Sequence, residues 1–149
     1  MFQPQFPWDN IGITQYFKTG HKAIDNAGSV TVGGVKKPNK YAYLPCDAKI
    51  LKNTYANDYG YYVEYEAYDG KDRYVMANGH FSAKSNLVVG KTYSKGTIIG
   101  TLGVTGNTTG KHDHFRIAKN GVLINPLTIL RVYPGQGVHN DDKKKVLYY

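Results

Sequence analysis

Cysteine, long apolar runs and helical periodicity are all scarce in this chain of 149 residues. Cys46 is the sole cysteine, so no intrachain disulfide can form and side-chain packing must stabilise the fold. No histidine stands beside it in Leu44-Pro45-Cys46-Asp47, which favours a small buried residue over a nucleophile. No apolar run reaches the roughly 18 residues that a membrane-spanning helix requires, so no membrane partner is expected.

Tyrosine and glycine, by contrast, are abundant, with 14 and 17 residues. Tyrosine favours strands and glycine favours the turns between them, so we expect an all-β fold with little helix. The first third also contains helix-breaking prolines, Pro4, Pro7, Pro38 and Pro45. From Tyr133 onward polar and turn-forming residues dominate. We therefore expect one domain at residues 1–131 and a tail or linker at 132–149, in which His139 is assigned no role.

Runs of strand-forming residues between turn residues predict a series of short strands. They are Thr14–Phe17, Tyr41–Leu44, Ala48–Leu51, Tyr59–Tyr68, Arg73–Ala77, Thr97–Val104, His112–Ala118 and Val122–Ile124. Asp69-Gly70, between the fourth and fifth runs, predicts a hairpin turn. In the fourth run Tyr61, Val63, Tyr65 and Ala67 share one face, which is typical of a half-buried strand.

The net charge of +8 indicates an anionic partner, such as a nucleic acid or a polyanionic cell wall. Part of the charge lies in Lys143-Lys144-Lys145, a run more typical of a solvated surface than of a binding site. A basic, tyrosine-rich β-domain could bind nucleic acid by stacking bases on exposed rings. In residues 59–68, however, the tyrosines alternate with glutamate instead of lysine or arginine, so a nucleic-acid partner is not expected.

Four histidines and one aspartate suggest a metal centre. His112 and His114 are two apart in a predicted strand, so both side chains point to the same face. There they either share a metal ion or divide metal binding from proton transfer. His21 and Asp25 are four apart in a stretch that can bring both onto one ion. Two histidines and one carboxylate, with a fourth position left open for water, form a common catalytic zinc site. His80 alone reads as a hydrogen-bonded loop residue.

The local contexts of these residues, taken together, resemble the lysostaphin-type (LytM-type) peptidoglycan endopeptidases. The matching blocks are Gly20-His21-x-x-x-Asp25, Asn78-Gly79-His80-Phe81-Ser82, Val89-Gly90-Lys91, Lys95 to Gly100, Gly103 to Phe115, and Ile124-Asn125-Pro126-Leu127. The segment Gly106 to Phe115, with its His-x-His pair, is the most specific of them. The resemblance spans roughly residues 11–131 and implies an antiparallel β-sheet or sandwich with an open groove.

This resemblance implies a zinc endopeptidase that cuts a peptide bond of bacterial peptidoglycan, in a cross-bridge or in a stem peptide. It implies that His21, Asp25 and His114 bind Zn²⁺ and that His80 and His112 are the catalytic pair. No His-Glu-x-x-His motif supplies a glutamate base. We therefore expect His112 to take the proton and His80 to stabilise the oxyanion.

Three further residues are candidates for substrate contact: Tyr16, Asn107 and Thr108. Tyr16 is the nearest match to an upstream tyrosine that often lines the site in this family, but it fits a core aromatic of a strand equally well. Asn107 and Thr108 stand in the glycine-bounded loop just before the His-x-His pair, so we expect them beside the substrate.

The sequence departs from the family pattern in three places. Asp113 stands where an apolar residue is usual, and we expect it either to disturb the strand or to lie at a wet edge. Asn78-Gly79 replaces bulkier residues before His80 and is expected to loosen that loop. The insert Asn26–Asn39 follows Asp25 directly and is expected to shape the groove. Because no ligand is lost, an active enzyme is favoured over a non-catalytic wall-binding module of the same fold.

The opening of the chain further resembles the peptidase domain of phage tail-tip lysins, in Gln5-Phe6-Pro7-Trp8-Asp9 and Ile13-Thr14-Gln15. The first ten residues lack the basic start and apolar stretch of a secretory signal. We therefore expect a monomer, or a part of a phage tail assembly, that reaches the bacterial cell wall from a virion or through a lysis pore. The expected partners are peptidoglycan peptides and, through charge, anionic wall polymers.

Overall fold

The computed structural model describes residues 2–139 and 141–149, which form an almost entirely β structure. The strands of the first half are β1 (Asn10–Ile11), β2 (Ile13–Gln15), β3 (Ile24–Ala27), β4 (Ser29–Val32), β5 (Val35–Pro38), β6 (Tyr41–Tyr43), β7 (Ala48–Ala56) and β8 (Gly60–Asp69). Those of the second half are β9 (Asp72–Phe81), β10 (Thr92–Tyr93), β11 (Ile98–Thr101), β12 (His112–Lys119), β13 (Val122–Ile124), β14 (Arg131–Val132), β15 (Gly137–Val138) and β16 (Leu147–Tyr148). A short 3₁₀ helix spans Pro126–Thr128. The all-β prediction is confirmed, and within the described residues no helix is long and apolar enough to cross a bilayer.

An eight-stranded antiparallel sheet organises the fold, in the order β10-β7-β8-β9-β12-β3-β2, with β13 also paired to β12. The hairpin predicted at Asp69-Gly70 joins β8 to β9, and Val63, Tyr65 and Ala67 of β8 are buried as their alternation predicted. Strand β12 lies between β9 and β3, two strands that come much earlier in the chain. The sheet therefore brings three distant parts of the sequence side by side.

The register of β12 decides which residues of its neighbours lie next to it. His114 is opposite Gly79 of β9 on one side and opposite Asp25 of β3 on the other. Successive side chains of a strand point to opposite faces. His112 and His114 therefore share one half-buried face, and Asp113 between them points into the buried face.

The hydrophobic core lies on the face of the sheet to which Asp113 points. Tyr65, Met76 and Phe115 enter it from the sheet, and each is fully buried. Trp8 enters from the N-terminal segment and packs edge-to-face on Phe115, with the ring centroids 5.9 Å apart. Such aromatic pairs stabilise a core beyond the apolar area that they bury. The N-terminal segment is thereby fixed directly behind the middle of β12.

Cys46 packs against this core as a partly buried residue. Burial raises the pKa of its thiol to about 12, and the charge of Asp47 acts in the same direction. A thiol that stays protonated at neutral pH is a poor nucleophile. The placement fits the packing role that the sequence favoured.

Two strands are longer than their sequence patterns predicted. Strand β7 continues to Ala56 instead of ending at Leu51, and β9 continues to Phe81 instead of ending at Ala77. The extension of β7 is mostly polar, that of β9 is Asn78-Gly79-His80-Phe81, and both pair with β8. The apolar alternation stops before the backbone pairing does, so the ends of these strands depend on contacts with a neighbouring strand.

The insert Asn26–Asn39 is mostly strand. Its first residues complete β3, and β4 with β5 forms a hairpin that turns at Gly33-Gly34. Both glycines have the left-handed φ, 56° and 76°, that such a tight turn requires. Asn26 and Asn39 are fully buried, and each donates a side-chain hydrogen bond to the carbonyl oxygen of Asn10. The insert is therefore held firmly against the N-terminal segment.

The residues after 131 pack on the rest of the chain where the structure describes them. Strand β14 pairs in parallel with β16, and β15 pairs in parallel with β1. Val146 is part of the core, and Asp142 is buried and accepts a hydrogen bond from the backbone N–H of Ile13. The segment that we expected to be a tail or linker thus contacts the domain, while the division at 131/132 itself stays a prediction.

Gly60→Ala should destabilise the fold more than Gly70→Ala. Gly60 begins β8 and Gly70 lies in the turn after it; both have a left-handed φ, 64° and 61°, which costs a non-glycine residue about 1–2 kcal/mol. A Cβ at Gly70 would meet nothing within 4 Å, whereas a Cβ at Gly60 would overlap the side chain and backbone of Thr105. Overpacking adds roughly 1–3 kcal/mol. Urea titration of both variants measures the difference, and equal losses of unfolding free energy would contradict the predicted overlap.

Candidate metal centre

An open cavity of about 660 Å³ lies over the start of β12, on the face from which His112 and His114 project. Its walls are formed by β2, the turn before β3, β3 itself, the end of β9 and the loop 107–111. All five residues predicted to bind metal or to act in catalysis line it. The sheet register explains this gathering, because it aligns the ends of β3, β9 and β12 at one edge of the cavity.

Three side chains, which we call the metal trio (His21, Asp25 and His114), converge at the floor of the cavity. Their ligand atoms all lie within 4.8 Å of one another. Nδ1 of His114 is 2.9 Å from Oδ1 of Asp25, and Nε2 of His21 is 3.4 Å from Oδ2 of Asp25. The predicted ligand set is therefore brought together by the fold, and its role as a ligand set stays a prediction.

The chemistry of the metal trio fits a divalent cation. Nδ1 of His21 is 3.2 Å from the carbonyl oxygen of Tyr16 and is therefore the nitrogen that carries the proton. Nε2 of His21 then presents a lone pair toward the carboxylate of Asp25. This nitrogen is buried and has no hydrogen-bond partner among the described residues. A cation between the two groups would satisfy both, and two imidazole nitrogens with one carboxylate match the ligands of catalytic zinc sites.

The electrostatic environment of the trio favours an ionised carboxylate. Burial alone would raise the pKa of Asp25, but the hydrogen bond with His114 and the electrostatic interactions with His114, His112 and His21 lower it below its usual value. Asp25 is therefore an anion at neutral pH. A metal ligand must be deprotonated to bind, so this environment prepares the site for a cation.

His80 and His112 flank the trio with their ring centroids 4.7 Å apart. Nδ1 of His80 is 2.7 Å from the carbonyl oxygen of Thr105, and Nδ1 of His112 is 2.8 Å from that of Gly110. A carbonyl only accepts, so each neutral ring carries its proton on Nδ1 and has an unprotonated Nε2. Nε2 of His112 lies 3.7 Å from Oδ2 of Asp25. Burial lowers the pKa of His80 below its usual value, against the opposite effect of its hydrogen bond to Thr105.

The backbone of His80 is unusual. Val63 of β8 is opposite Asn78 and Tyr61 is opposite Phe81, so the two residues Gly79 and His80 together face one residue of β8. This β-bulge gives His80 a φ of 65°, which non-glycine residues rarely adopt. Bulges often re-aim a side chain beside an active site. Here the bulge directs the His80 ring into the cavity.

The three predicted substrate contacts are placed differently from one another. Asn107 and Thr108 line the cavity, and Oγ1 of Thr108 is 3.2 Å from Nδ1 of His112. Tyr16 does not line it, because its hydroxyl bonds to Asp142. The contribution of Tyr16 to the site is its carbonyl oxygen, which faces His21.

Two residues that sequence reasoning missed support the histidines. The carbonyl of Thr105 bonds to His80, and its hydroxyl donates to the carbonyl oxygen of Phe81. The ring of Tyr59 lies 5.2 Å from that of His114, and its backbone carbonyl accepts the N–H of His80. Thr105 stands inside a recognisable block, but no local pattern distinguishes Tyr59 from the other tyrosines.

Two expectations about departures from the family pattern are wrong. Asp113 neither disturbs β12 nor lies at a wet edge: it is fully buried in a regular strand and accepts hydrogen bonds from Trp8, Asn78 and Gly79. Burial raises its pKa to about 7, although these hydrogen bonds act in the opposite direction. Asn78-Gly79 does not loosen a loop, because both residues belong to β9 and are buried. From the insert Asn26–Asn39, Ala27 at the end of β3 lines the cavity, and a wider effect of the insert on the groove stays a prediction.

Comparison with known proteins finds similar peptidases. The sequence model of peptidase family M23 matches residues 26–126. A Haemophilus influenzae protein named as an uncharacterized metalloprotease is 35% identical over 94 residues, which are 57% of this chain and 19% of that protein. A zinc-containing peptidase from Vibrio cholerae shares the fold, with a TM-score of 0.60 and 19% identity over 82% of this chain and 39% of that chain. The catalytic domain of lysostaphin from Staphylococcus simulans also shares the fold, with a TM-score of 0.58 and 22% sequence identity over 85% of this chain and 90% of that domain.

The fold and the family match together define a class, the β-sheet metallopeptidases. The chain belongs to peptidase family M23, since the family match covers well over half of it. The matched range contains His80, His112 and His114 and begins directly after Asp25. The chain spans 19% of the length of the Haemophilus relative and 39% of the Vibrio chain.

Replacement of one member of the metal trio should abolish metal binding. We expect the wild-type chain to retain about one Zn²⁺ per molecule after dialysis, and His21→Ala or His114→Ala to retain none. Zinc should raise the unfolding temperature of the wild type only, because a ligand that binds the native state stabilises it. Elemental analysis and thermal melts measure both effects. His139→Ala serves as the control, and a zinc content in His21→Ala equal to that of the wild type would contradict the site.

Proposed function

We propose that the chain is a zinc-dependent endopeptidase that hydrolyses a peptide bond in bacterial peptidoglycan, in a cross-bridge or a stem peptide. The observation that carries this proposal is the buried Nε2 of His21, which lacks a hydrogen-bond partner among the described residues and faces Asp25 at the floor of an open cavity. Membership of peptidase family M23 and the shared fold with the lysostaphin catalytic domain support it.

The metal trio would hold the zinc ion, which when bound supplies Lewis acidity toward a scissile carbonyl and toward water. His112 is the proposed general base, because its Nε2 is an acceptor and lies 3.7 Å from Oδ2 of Asp25, beside the metal position. Its Nδ1 is held by Gly110. The ring therefore cannot turn away without losing a hydrogen bond.

His80 is the proposed partner that stabilises the oxyanion. Its neutral ring presents an unprotonated Nε2, so it can donate a hydrogen bond to developing negative charge only after it receives a proton, and the source in this proposal is the proton that His112 takes from water. The ring of His112 is 4.7 Å away, which places His80 beside the group that takes the proton from water. Both rings have the same tautomer, so the proposed division of roles rests on the position of Nε2 of His112, 3.7 Å from Oδ2 of Asp25.

The shape of the cavity supports a small, extended peptide as substrate. The loop before β12 is bounded by Gly106 and Gly110 and presents the polar side chains of Asn107 and Thr108 to the cavity. Peptidoglycan peptides are short and rich in glycine or alanine, so their backbones can approach such a loop closely. The net charge of +8 would hold the enzyme on anionic wall polymers.

The N-terminal segment supports a phage origin, and we propose a phage-encoded lysin that is delivered to the wall by a virion or through a lysis pore. The resemblance to tail-tip lysins includes Trp8, which is a buried part of this fold and bonds to Asp113. A non-catalytic wall-binding module of the same fold is the alternative function. The complete set of ligands and flanking histidines disfavours it.

His112→Ala and His80→Ala should each lower kcat by about 10²–10⁴-fold, as expected for loss of a positioned proton-transfer or hydrogen-bonding group. Both variants should retain zinc, because neither residue belongs to the metal trio. Mass spectrometry of fragments released from several peptidoglycan types measures the rate and identifies the bond. Near-wild-type turnover in either variant would remove that residue from the catalytic pair. A wild-type chain that binds walls but releases no fragments would favour the non-catalytic module.

Binding to purified cell walls should weaken as NaCl rises from about 0.05 M to about 0.5 M, because salt screens charge interactions between exposed groups. Replacing Lys143, Lys144 and Lys145 together by glutamine lowers the net charge from +8 to +5 and should weaken binding at low salt, whereas replacing them by arginine keeps the charge and should not. A sedimentation assay with labelled protein measures both effects. Binding that does not change with salt would show that charge does not hold the enzyme on the wall.

A further inference from the structure

Directly behind the metal trio, on the core side of β12, lies a fully buried group of polar residues. Oδ2 of Asp113 accepts hydrogen bonds from Nε1 of Trp8 at 2.8 Å and from Nδ2 of Asn78 at 2.6 Å. Oδ1 of Asp113 accepts the backbone N–H of Gly79 at 3.2 Å. The hydroxyl of Tyr65 donates to Oδ1 of Asn78 at 2.6 Å and so orients its amide. We call these five residues the Asp113 network.

The network satisfies a carboxylate that would otherwise be costly to bury. Trp8, Tyr65, Asn78 and Asp113 are all 0% exposed, so water cannot replace a missing partner. The three donors to Asp113 come from the N-terminal segment and from β9, while the carboxylate comes from β12. The side chain of Asp113 therefore joins three parts of the chain at one point.

Two residues of the Asp113 network are adjacent in sequence to the histidines of the proposed catalytic pair. Asp113 separates His112 from His114, and Gly79 immediately precedes His80. Gly79 and His80 form the bulge in β9, where the regular pairing with β8 is interrupted. The N–H of Gly79 donates to the Asp113 carboxylate instead, and the N–H of His80 donates to the carbonyl oxygen of Tyr59. The bulge is thus anchored by one backbone hydrogen bond on each of its residues.

We propose that Asp113 is a positioning residue: its carboxylate anchors the bulge at Gly79-His80 and thereby sets where the His80 ring lies relative to His112 and the metal trio. The effect of this anchor on catalysis rests on the proposed function, whereas the position of His80 can be measured without a substrate. Misplacement of a catalytic group by about 1 Å can lower a rate by about 10²-fold. An anchor on the backbone beside His80 is therefore expected to affect turnover more than substrate binding.

Asp113→Asn tests the anchor, because asparagine has the same shape but only one acceptor oxygen. If the amide oxygen keeps the two donors from Trp8 and Asn78, the amide nitrogen faces the N–H of Gly79, and two donors oppose each other. The bulge then loses its link to β12. Trp8→Phe is the matched control, since it also removes one hydrogen bond from Asp113 but leaves the bond from Gly79 in place.

In the zinc-loaded protein we expect Asp113→Asn to lower kcat by about 10–100-fold with KM within about 3-fold of the wild type. The Nδ1 proton of His80, held by Thr105 in the wild type, should exchange with solvent at least about 10-fold faster, as followed by nitrogen-15 NMR of labelled histidine. Zinc content should remain that of the wild type. Trp8→Phe should lose a similar amount of stability and leave both kcat and the proton exchange within about 3-fold of the wild type.

The proposal would be overturned if Asp113→Asn had the same kcat and the same exchange rate of the His80 proton as the wild type. It would also be overturned if Asp113→Asn and Trp8→Phe, at matched stability, lost the same amount of kcat. Should Asp113→Asn fail to fold, the amide exchange of Gly79 in wild-type holoprotein still decides. The proposal expects protection equal to that of the core residue Met76, and fast exchange at Gly79 would overturn it. An inactive wild type would contradict the proposed function alone, because both exchange measurements need no substrate.

Discussion

The position of β12 between β9 and β3 is the constraint on which the rest of the structure depends. One strand carries His112 and His114 on its open face and Asp113 on its buried face, so a slip of one residue would exchange them. The same register sets His114 opposite Asp25 and Gly79 at once. Any force that fixes β12 against its two neighbours therefore also fixes the candidate site.

The backbone around the cavity also determines which nitrogen of each histidine faces inward. His21, His80 and His112 each place Nδ1 against a carbonyl oxygen, of Tyr16, Thr105 and Gly110 respectively. All three have Nε2 left for chemistry, whereas His114 presents Nδ1 to Asp25. Partners of this kind commonly orient the ligands of metal sites and fix their tautomers. The loops near the cavity thus contribute through main-chain oxygens, which any residue at those positions would offer.

Local patterns in the sequence predicted the parts of this arrangement that depend on neighbours in the chain. A two-residue period placed His112 and His114 on one face, and Asp69-Gly70 marked the central hairpin. Strand ends and buried polar contacts were not predictable in this way, because their partners are distant. Trp8 and Asp113 are 105 positions apart, and no periodicity connects them.

The polar residues that the sequence analysis misjudged share one physical property: their side chains find hydrogen-bond partners only in the tertiary fold. Asp142 lies in a polar stretch of the sequence, yet it is buried, because the backbone N–H of Ile13 and the hydroxyl of Tyr16 donate hydrogen bonds to its carboxylate. Asn78 interrupts an apolar pattern, yet it is fully buried between Tyr65 and Asp113. A prediction from composition places such residues in tails and loops, because burial of a polar group is costly. The hydrogen bonds that offset this cost come from distant residues and do not show in the composition.

The same property explains why an aspartate can replace the apolar residue usual between the two histidines. An apolar side chain at position 113 would leave the indole N–H of Trp8 and the amide of Asn78 without acceptors in the core, at a cost of about 1–3 kcal/mol for each unsatisfied group. Conversely, Asp113 without those donors would be a buried carboxylate with one remaining hydrogen bond, from the backbone N–H of Gly79. Trp8, Asn78 and Asp113 are thus interdependent. Their hydrogen bonds join the N-terminal segment and β9 to β12, the strand that carries the candidate site.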